Sequence, residues 1–169
     1  MKYIRILSLF CLTLLSYASY GQGAEIKSGI VYYFTRYVEW PASKQSGDFV
    51  INVVGNDEIT SHLQTMSKAK SLGSRQIVVR EVGSVSDAKN CHILILAGDK
   101  LDQFNTAALT AENNNFLLVT DAQGYGKKGA GINFITKNGK PSYEINQTSV
   151  NKCGLKISSK LTTLGTVIE

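Results

Sequence analysis

Apolar positions along this chain fall into two rhythms, one helical and one extended, that take turns for most of its length. From Ile26 to Trp40 they recur three or four apart, at Ile26, Ile30, Tyr33, Phe34 and Tyr37, which is the spacing of one helix face. Pro41 disfavours a helical conformation at Trp40, so this aromatic first helix is expected to stop there. Arg36 and Glu39 are three apart and suited to pair at its surface. Phe49–Val54 is then almost unbroken in its apolar character, as strands buried on both faces are. Gly55-Asn56-Asp57 turns the chain, and Asp57 opens a helix to about Lys70 with Ile59, Leu63 and Met66 inward. Further strands are expected at 76–82, 92–96 and 116–120, with a helix from Asp99 through Leu101, Phe104, Ala108 and Leu109 before the last of them. Strands alternating with helices predict a single α/β domain with a mostly parallel central sheet flanked by helices.

After Asp121 the pattern changes. Residues 124–131 are rich in glycine, and the runs 132–136 and 142–145 flank Lys137-Asn138-Gly139-Lys140-Pro141. Asn-Gly between two alternating runs signals a β-hairpin. From Thr148 onward Val150, Cys153, Ile157, Leu161, Leu164 and Ile168 repeat at intervals of three and four. That spacing predicts one long amphipathic C-terminal helix, capped by Asn146 or Thr148.

The first residues carry a different message. Lys2 and Arg5, an apolar run at 6–15 and small residues at 16–21 have the layout of a signal peptide over 1–21, cut after Gly21 or Ala18. The run is too short to cross a bilayer. Cys11 follows the bulky Phe10 and the run continues past it, which argues against a lipid-modified cysteine. The reading is therefore an exported domain over 25–169 that does not span the membrane once the leader is gone. Without Lys2 and Arg5 the formal charge falls from +5 to +3. The charges are scattered, which excludes a nucleic-acid footprint. Cys91 and Cys153 remain for the exported form. An even count in an oxidising compartment invites a disulfide, whereas the apolar stripe around Cys153 equally suits a buried thiol; the sequence leaves both open, and it leaves monomer or homodimer open too.

Candidate chemistry is thin. Gly124-x-Gly126-x-x-Gly129 matches a dinucleotide fingerprint by letter but precedes a hairpin instead of joining a first strand to its helix. Ser149-x-x-Lys152 lacks the companion motifs of Ser/Lys enzymes, and no serine sits on a Gly-x-Ser-x-Gly elbow. A hydrolase would need Ser149 or Ser158 to meet His62 or His92. Two histidines without zinc spacing and no calcium-type acidic loop give no metal site, and Asn146-Gln147-Thr148 is a glycosylation sequon by letter only. The expectation is no catalytic, cofactor or metal residue. Asp99 and Asp121 lie just after apolar strands, at the sheet edge where α/β ligands bind.

Ordered pieces across the chain resemble the YfiR family of small periplasmic regulators. They are Arg36-Tyr37-Val38-Glu39-Trp40-Pro41, Val53-Val54-Gly55, Cys91-His92-Ile93-Leu94-Ile95 and Leu118-Val119-Thr120-Asp121, followed by Gly131-Ile132-Asn133-Phe134, Tyr143-Glu144-Ile145-Asn146 and 154–161, which holds Ser158, Ser159 and Lys160. The resemblance implies a non-enzymatic repressor that sequesters the periplasmic part of an inner-membrane signalling protein such as a diguanylate cyclase, so that its release raises cyclic di-GMP. It also implies that the signature residues Arg36, Tyr37, Glu39, Trp40, Pro41, Ser158, Ser159 and Lys160 are structural. Family members often carry a cysteine in the first strand that bridges to the one at Cys91; the matching position here is Asn52, a departure from that switch that leaves Cys91 either free or paired with Cys153. Tyr143, Glu144, Ile145 and Asn146, with the outer side of the last helix, are the candidate partner surface. The alternative is a small-ligand sensor acting with a histidine kinase through Asp99 and Asp121.

Overall fold

The computed structural model describes residues 22–55, 58–88 and 90–169. The expected leader at 1–21 and the Asp57 cap lie outside the described residues.

Helix α1 occupies 22–37. It buries Ala24, Ser28, Val31, Phe34 and Thr35 while leaving Ile26 and Tyr33 about half exposed, so the inward stripe is rotated from the one the aromatic spacing suggests. The reason is the contact that Phe34 makes: its ring lies edge-on to Tyr143 at 5.2 Å and 6.1 Å from Phe134. Ala24, Ser28 and Thr35 are small enough to let the helix sit close. The two hydroxyls stay satisfied by donating to the carbonyls of Glu25 and Tyr32, each at 2.7 Å. The helix ends at Tyr37, before Trp40, because Val38–Glu39 goes extended as β1 to pair antiparallel with Lys156–Ile157.

Phe49–Val54 forms β2, buried at every position. Next come α2 (Ile59–Ala69), β3 (Ser71–Leu72), β4 (Arg75–Val82), β5 (Ile93–Leu96), α3 (Phe104–Asn114) and β6 (Leu117–Thr120). The short α4 (Tyr125–Lys128) precedes β7 (Ile132–Lys137) and β8 (Lys140–Asn146), and α5 (Gln147–Lys152), β9 (Lys156–Ile157), α6 (Ser159–Leu164) and β10 (Thr166–Ile168) complete the chain. Among the described residues the main sheet has eight strands in the order β10-β8-β7-β6-β5-β2-β4-β3. Asn138 and Gly139, at φ 52° and 73°, supply the two left-handed positions that a tight hairpin between β7 and β8 needs.

Two features of the expected fold are corrected. The sheet is mixed: β4, β2, β5, β6 and β7 run parallel, as do β8 and β10, but β7 and β8 pair antiparallel, as do β3 and β4. There is also no long C-terminal helix. α5 starts at Asn146, whose side chain caps it by accepting from Ser149 N, and it stops after one and a half turns because Gly154 adopts φ 69°. Ser158 caps the equally short α6. Gly165 then passes so close to Tyr143 that a Cβ there would collide with the ring. This leads into β10, which lies parallel to β8. Val150, Cys153 and Leu161 are indeed buried, but from separate elements that bend around the same core.

β2 sends the chain to β4 on one side and, later, to β5 on the other. The carboxyl ends of β2 and β5 are therefore the reversal point where open α/β sheets hold ligands. Lys27, near the start of α1, pairs with Asp121 after β6, whereas Trp40 packs on Phe49 at the start of β2. α1 thus runs opposite to the parallel strands, from their carboxyl edge to their amino edge.

Candidate functional site

Alternation along β8 sends Tyr143 and Ile145 to one side of the sheet and Glu144 and Asn146 to the other. Tyr143 is buried and donates its hydroxyl to Leu161 O at 3.0 Å, and burial pushes its pKa up to about 12. Ile145 is fully buried. Asn146, also buried, donates to Gly126 O at 2.9 Å besides capping α5. Glu144 is the half-buried member of the four. Its carboxylate accepts from Asn133 Nδ2 at 3.1 Å, and Asn133 Oδ1 accepts from Thr120 Oγ1 and Ala122 N. These four residues thus tie β8 to α4, β7 and α6. Asn133 could have been suspected from a lone amide inside the apolar run Ile132-Asn133-Phe134. Beside them, Leu164 is 65% exposed and Val167, in register with Ile145, is 46% exposed.

The signature residues join the two ends of the fold. Tyr37 stacks on Tyr33 at 6.1 Å, its carbonyl accepts from Ser158 N at 3.0 Å, and Lys160 lies over its ring at 4.9 Å. Glu39 pairs in register with Lys156. Arg36 reaches back to the Tyr32 hydroxyl instead of forward to Glu39. Pro41 O accepts from Lys44 N, and Ser159 O from the hydroxyls of Thr162 and Thr163.

Trp40 stands edge-on to Phe49 and His92, at 5.3 and 5.5 Å, and Phe49 and His92 stack at 4.3 Å. His92 Nδ1 accepts from Val50 N at 3.1 Å, which puts its proton on Nε2, where it donates to Lys44 O at 2.9 Å. Burial, followed by the charges of Arg75 and Lys44, holds its pKa below the ordinary value. A sequence reading could not assemble this group, because Lys44, Arg75 and His92 are far apart along the chain.

Cys91 and Cys153 are both buried free thiols. Desolvation pushes their pKa values up to about 12 and about 11, so thiolate is scarce at neutral pH. The native chain from Gln22 onward is therefore expected to take up no thiol-specific reagent, to take up two equivalents after denaturation, and to melt identically with and without reductant. Asn52, at the family's cysteine position, is buried; its amide donates weakly to Ala88 O at 3.5 Å and its Oδ1 has no partner.

At the carboxyl edge a cavity of about 930 Å³ opens among Ala24, Lys27, Glu58, Gly98, Asp121 and Lys140. Asp121 lines it, paired with Lys27, and Asp99 lies in a neighbouring recess with Gly55 and Lys100. None of the serines and histidines considered above hydrogen-bonds to another. Ser158 Oγ accepts from Lys160 N, and Ser149 N donates to Asn146. The described residues hold no cluster of three metal-ligating side chains, and none of their helices is long and apolar enough to cross a membrane.

Fold and site together define a mixed-sheet α/β domain whose β8 polar groups are held within its own framework. The chain belongs to the YfiR/HmsC-like family, whose model matches residues 24–166; this is a family of periplasmic regulatory proteins, and membership accords with a non-enzymatic role. No curated protein matches it by sequence. Among solved structures it resembles a conserved domain protein from Vibrio cholerae, with 13% identity and a TM-score of 0.53 over 86% of this chain and 60% of that one. It also resembles the ABC domain from Streptococcus pneumoniae solved in complex with L-Trp, with 9% identity and a TM-score of 0.50 over 71% of this chain and 55% of that one. The chain thus spans little more than half the length of either structure, and at such identities the likeness concerns the fold alone.

Proposed function

We propose that this protein is exported by its leader and acts in the periplasm by capturing the periplasmic part of an inner-membrane signalling protein, such as a diguanylate cyclase, in its inactive state. The family match over 24–166 carries this reading. A regulator of this kind works by binding one state of its partner more tightly than another. The proposed contact is the corner where β8 meets α6 and β10. Exposed Leu164 and Val167 provide apolar anchors there; Tyr143 and Ile145 share the sheet face of Val167, and Glu144 and Asn146 hold β8 from the opposite face. The double variant Leu164→Asp/Val167→Asp is expected to abolish co-purification with solubilised inner-membrane cyclase while leaving the melting temperature nearly unchanged. Undiminished capture by that variant would remove the corner from consideration.

The cavity at the carboxyl edge favours a second reading, a small-ligand sensor acting with a histidine kinase. Its lining by Lys27, Asp121 and Lys140 suits a polar ligand. A thermal shift with peptidoglycan fragments that disappears in Lys140→Ala would support it, and no shift would count against it.

A further inference from the structure

We propose that the crevice between the end of α1 and the β3–β4 turn binds a small oxyanion, a carboxylate or phosphate monoester, carried on a flat apolar body. Thr35, Arg36, Trp40, Phe49, Leu72 and Arg75 line it around about 330 Å³, a volume at the small end of ligand clefts.

The argument starts from an excess of hydrogen-bond donors. Arg75 is fixed in place by neutral acceptors: its Nε donates to Gly47 O at 2.6 Å, and one terminal nitrogen donates to Asp48 O at 3.3 Å and more weakly to Ser46 O at 3.5 Å. Its plane lies over Phe49, 5.6 Å from the ring centre. That same terminal nitrogen is 2.9 Å from His92 Nε2. The latter already carries a proton bonded to Lys44 O, so donor faces donor. Arg36 has only the Tyr32 hydroxyl, at 3.2 Å, and the Tyr32 ring. Trp40, on the crevice wall, has a buried indole N–H with no acceptor.

No carboxylate among the described residues answers these charges. Among the described residues the one ion pair is Lys27–Asp121, at the opposite edge of the sheet. Two guanidinium groups therefore share one crevice without an anion. Guanidinium is the side chain best matched to the planar, forked geometry of carboxylate and phosphate. The part-exposed ring of Trp40, held edge-on at 77° against the fully buried Phe49, gives the crevice an apolar wall beside these charges. A bare hydrated ion gains nothing from that wall, whereas an anion with an aromatic or similarly flat body gains from both the charge and the indole.

Trp40 is the single tryptophan of the chain, so its fluorescence reports directly on this crevice. The folded protein, at near-neutral pH and low salt, is titrated with phenyl phosphate, benzoate, inorganic phosphate and benzamide, the last being a neutral relative of benzoate. Saturable responses are expected from phenyl phosphate and benzoate, with benzamide and inorganic phosphate each at least about tenfold weaker. Arg75 also holds the 46–48 loop, so the exposed Arg36 carries the mutational test. Arg36→Gln is expected to weaken both aromatic anions about tenfold while circular dichroism and melting stay as in the parent protein. Absence of a saturable response to either aromatic anion, benzamide binding as tightly as benzoate, inorganic phosphate matching phenyl phosphate, or unchanged affinity in a folded Arg36→Gln protein would each overturn the proposal.

Discussion

Replacing Phe34 with Ala is expected to destabilise the domain by about 3–5 kcal/mol, the range for deleting a fully buried aromatic ring. Phe34 has no exposed surface and is the contact through which α1 rests on the hairpin, against Tyr143 and Phe134. Its removal costs the transfer energy of the ring and leaves a hole that α1 cannot close. The Tyr143 hydroxyl is tied to Leu161 O, and that tie fixes the ring on the other side. For a domain of this size the melting temperature should fall by on the order of 10 °C, as calorimetry or a urea titration can measure. Phe34→Leu keeps most of the volume and should recover much of the loss. A Phe34→Ala protein as stable as its parent would show that α1 is not anchored where its rings meet β8.

Acidification is expected to weaken the fold through His92. Its folded-state pKa is held below the ordinary histidine value, first by burial and then by the neighbouring charges of Arg75 and Lys44. In the unfolded chain the imidazole takes up a proton near pH 6.5, with a pKa of about 6.5, while the native ring resists it. The native advantage is therefore complete above about pH 6.5 and declines as the pH falls below that value toward the lowered folded pKa. The groups facing the ring add to the effect of burial: Arg75 comes from β4 and Lys44 from the turn after Trp40, and no carboxylate among the described residues offsets them. Protonation at Nδ1 also destroys the acceptor used by Val50 N, at the mouth of the central strand. Urea midpoints should drop between about pH 7.5 and about pH 5. In His92→Gln the drop should be smaller, although the variant is less stable at the higher pH. An equal acid response in parent and His92→Gln proteins would show that other groups govern it.

The strands were legible because β2, β5 and β6 are buried at every position and so read as continuous apolar runs. The hairpin was legible because Asn138 and Gly139 are the residues that accept positive φ. The C-terminal region misled for a definite reason. Its three-to-four spacing is real, but Gly154 and Gly165 let the chain change direction while each apolar residue still turns inward, and spacing does not distinguish one long helix from two short ones that share a core. For α1 the spacing pointed inward to Phe34, which is buried, but also to Ile26 and Tyr33, which are about half exposed; the sheet takes the small Ser28 and Thr35 instead, because close approach matters more there than ring count. Alternation at 143–146 was visible as well, but the burial of Tyr143, Ile145 and Asn146 depends on α1, α4 and α6 arriving from elsewhere. The cluster around His92 was invisible for the same reason. Its charged members come from a turn and an edge strand, and only the parallel register of β2 with β4 and β5 brings them together.

The meeting of Phe34 with Phe134 and Tyr143 carries a kinetic consequence. The helix that bears Phe34 comes early in the chain, yet it has nothing to lean on until a hairpin about a hundred residues later has closed, and such distant contacts slow the folding search. Its rings are thus among the first to be synthesised and among the last to find shelter. Any factor that escorts this polypeptide before it folds will meet that aromatic stretch bare.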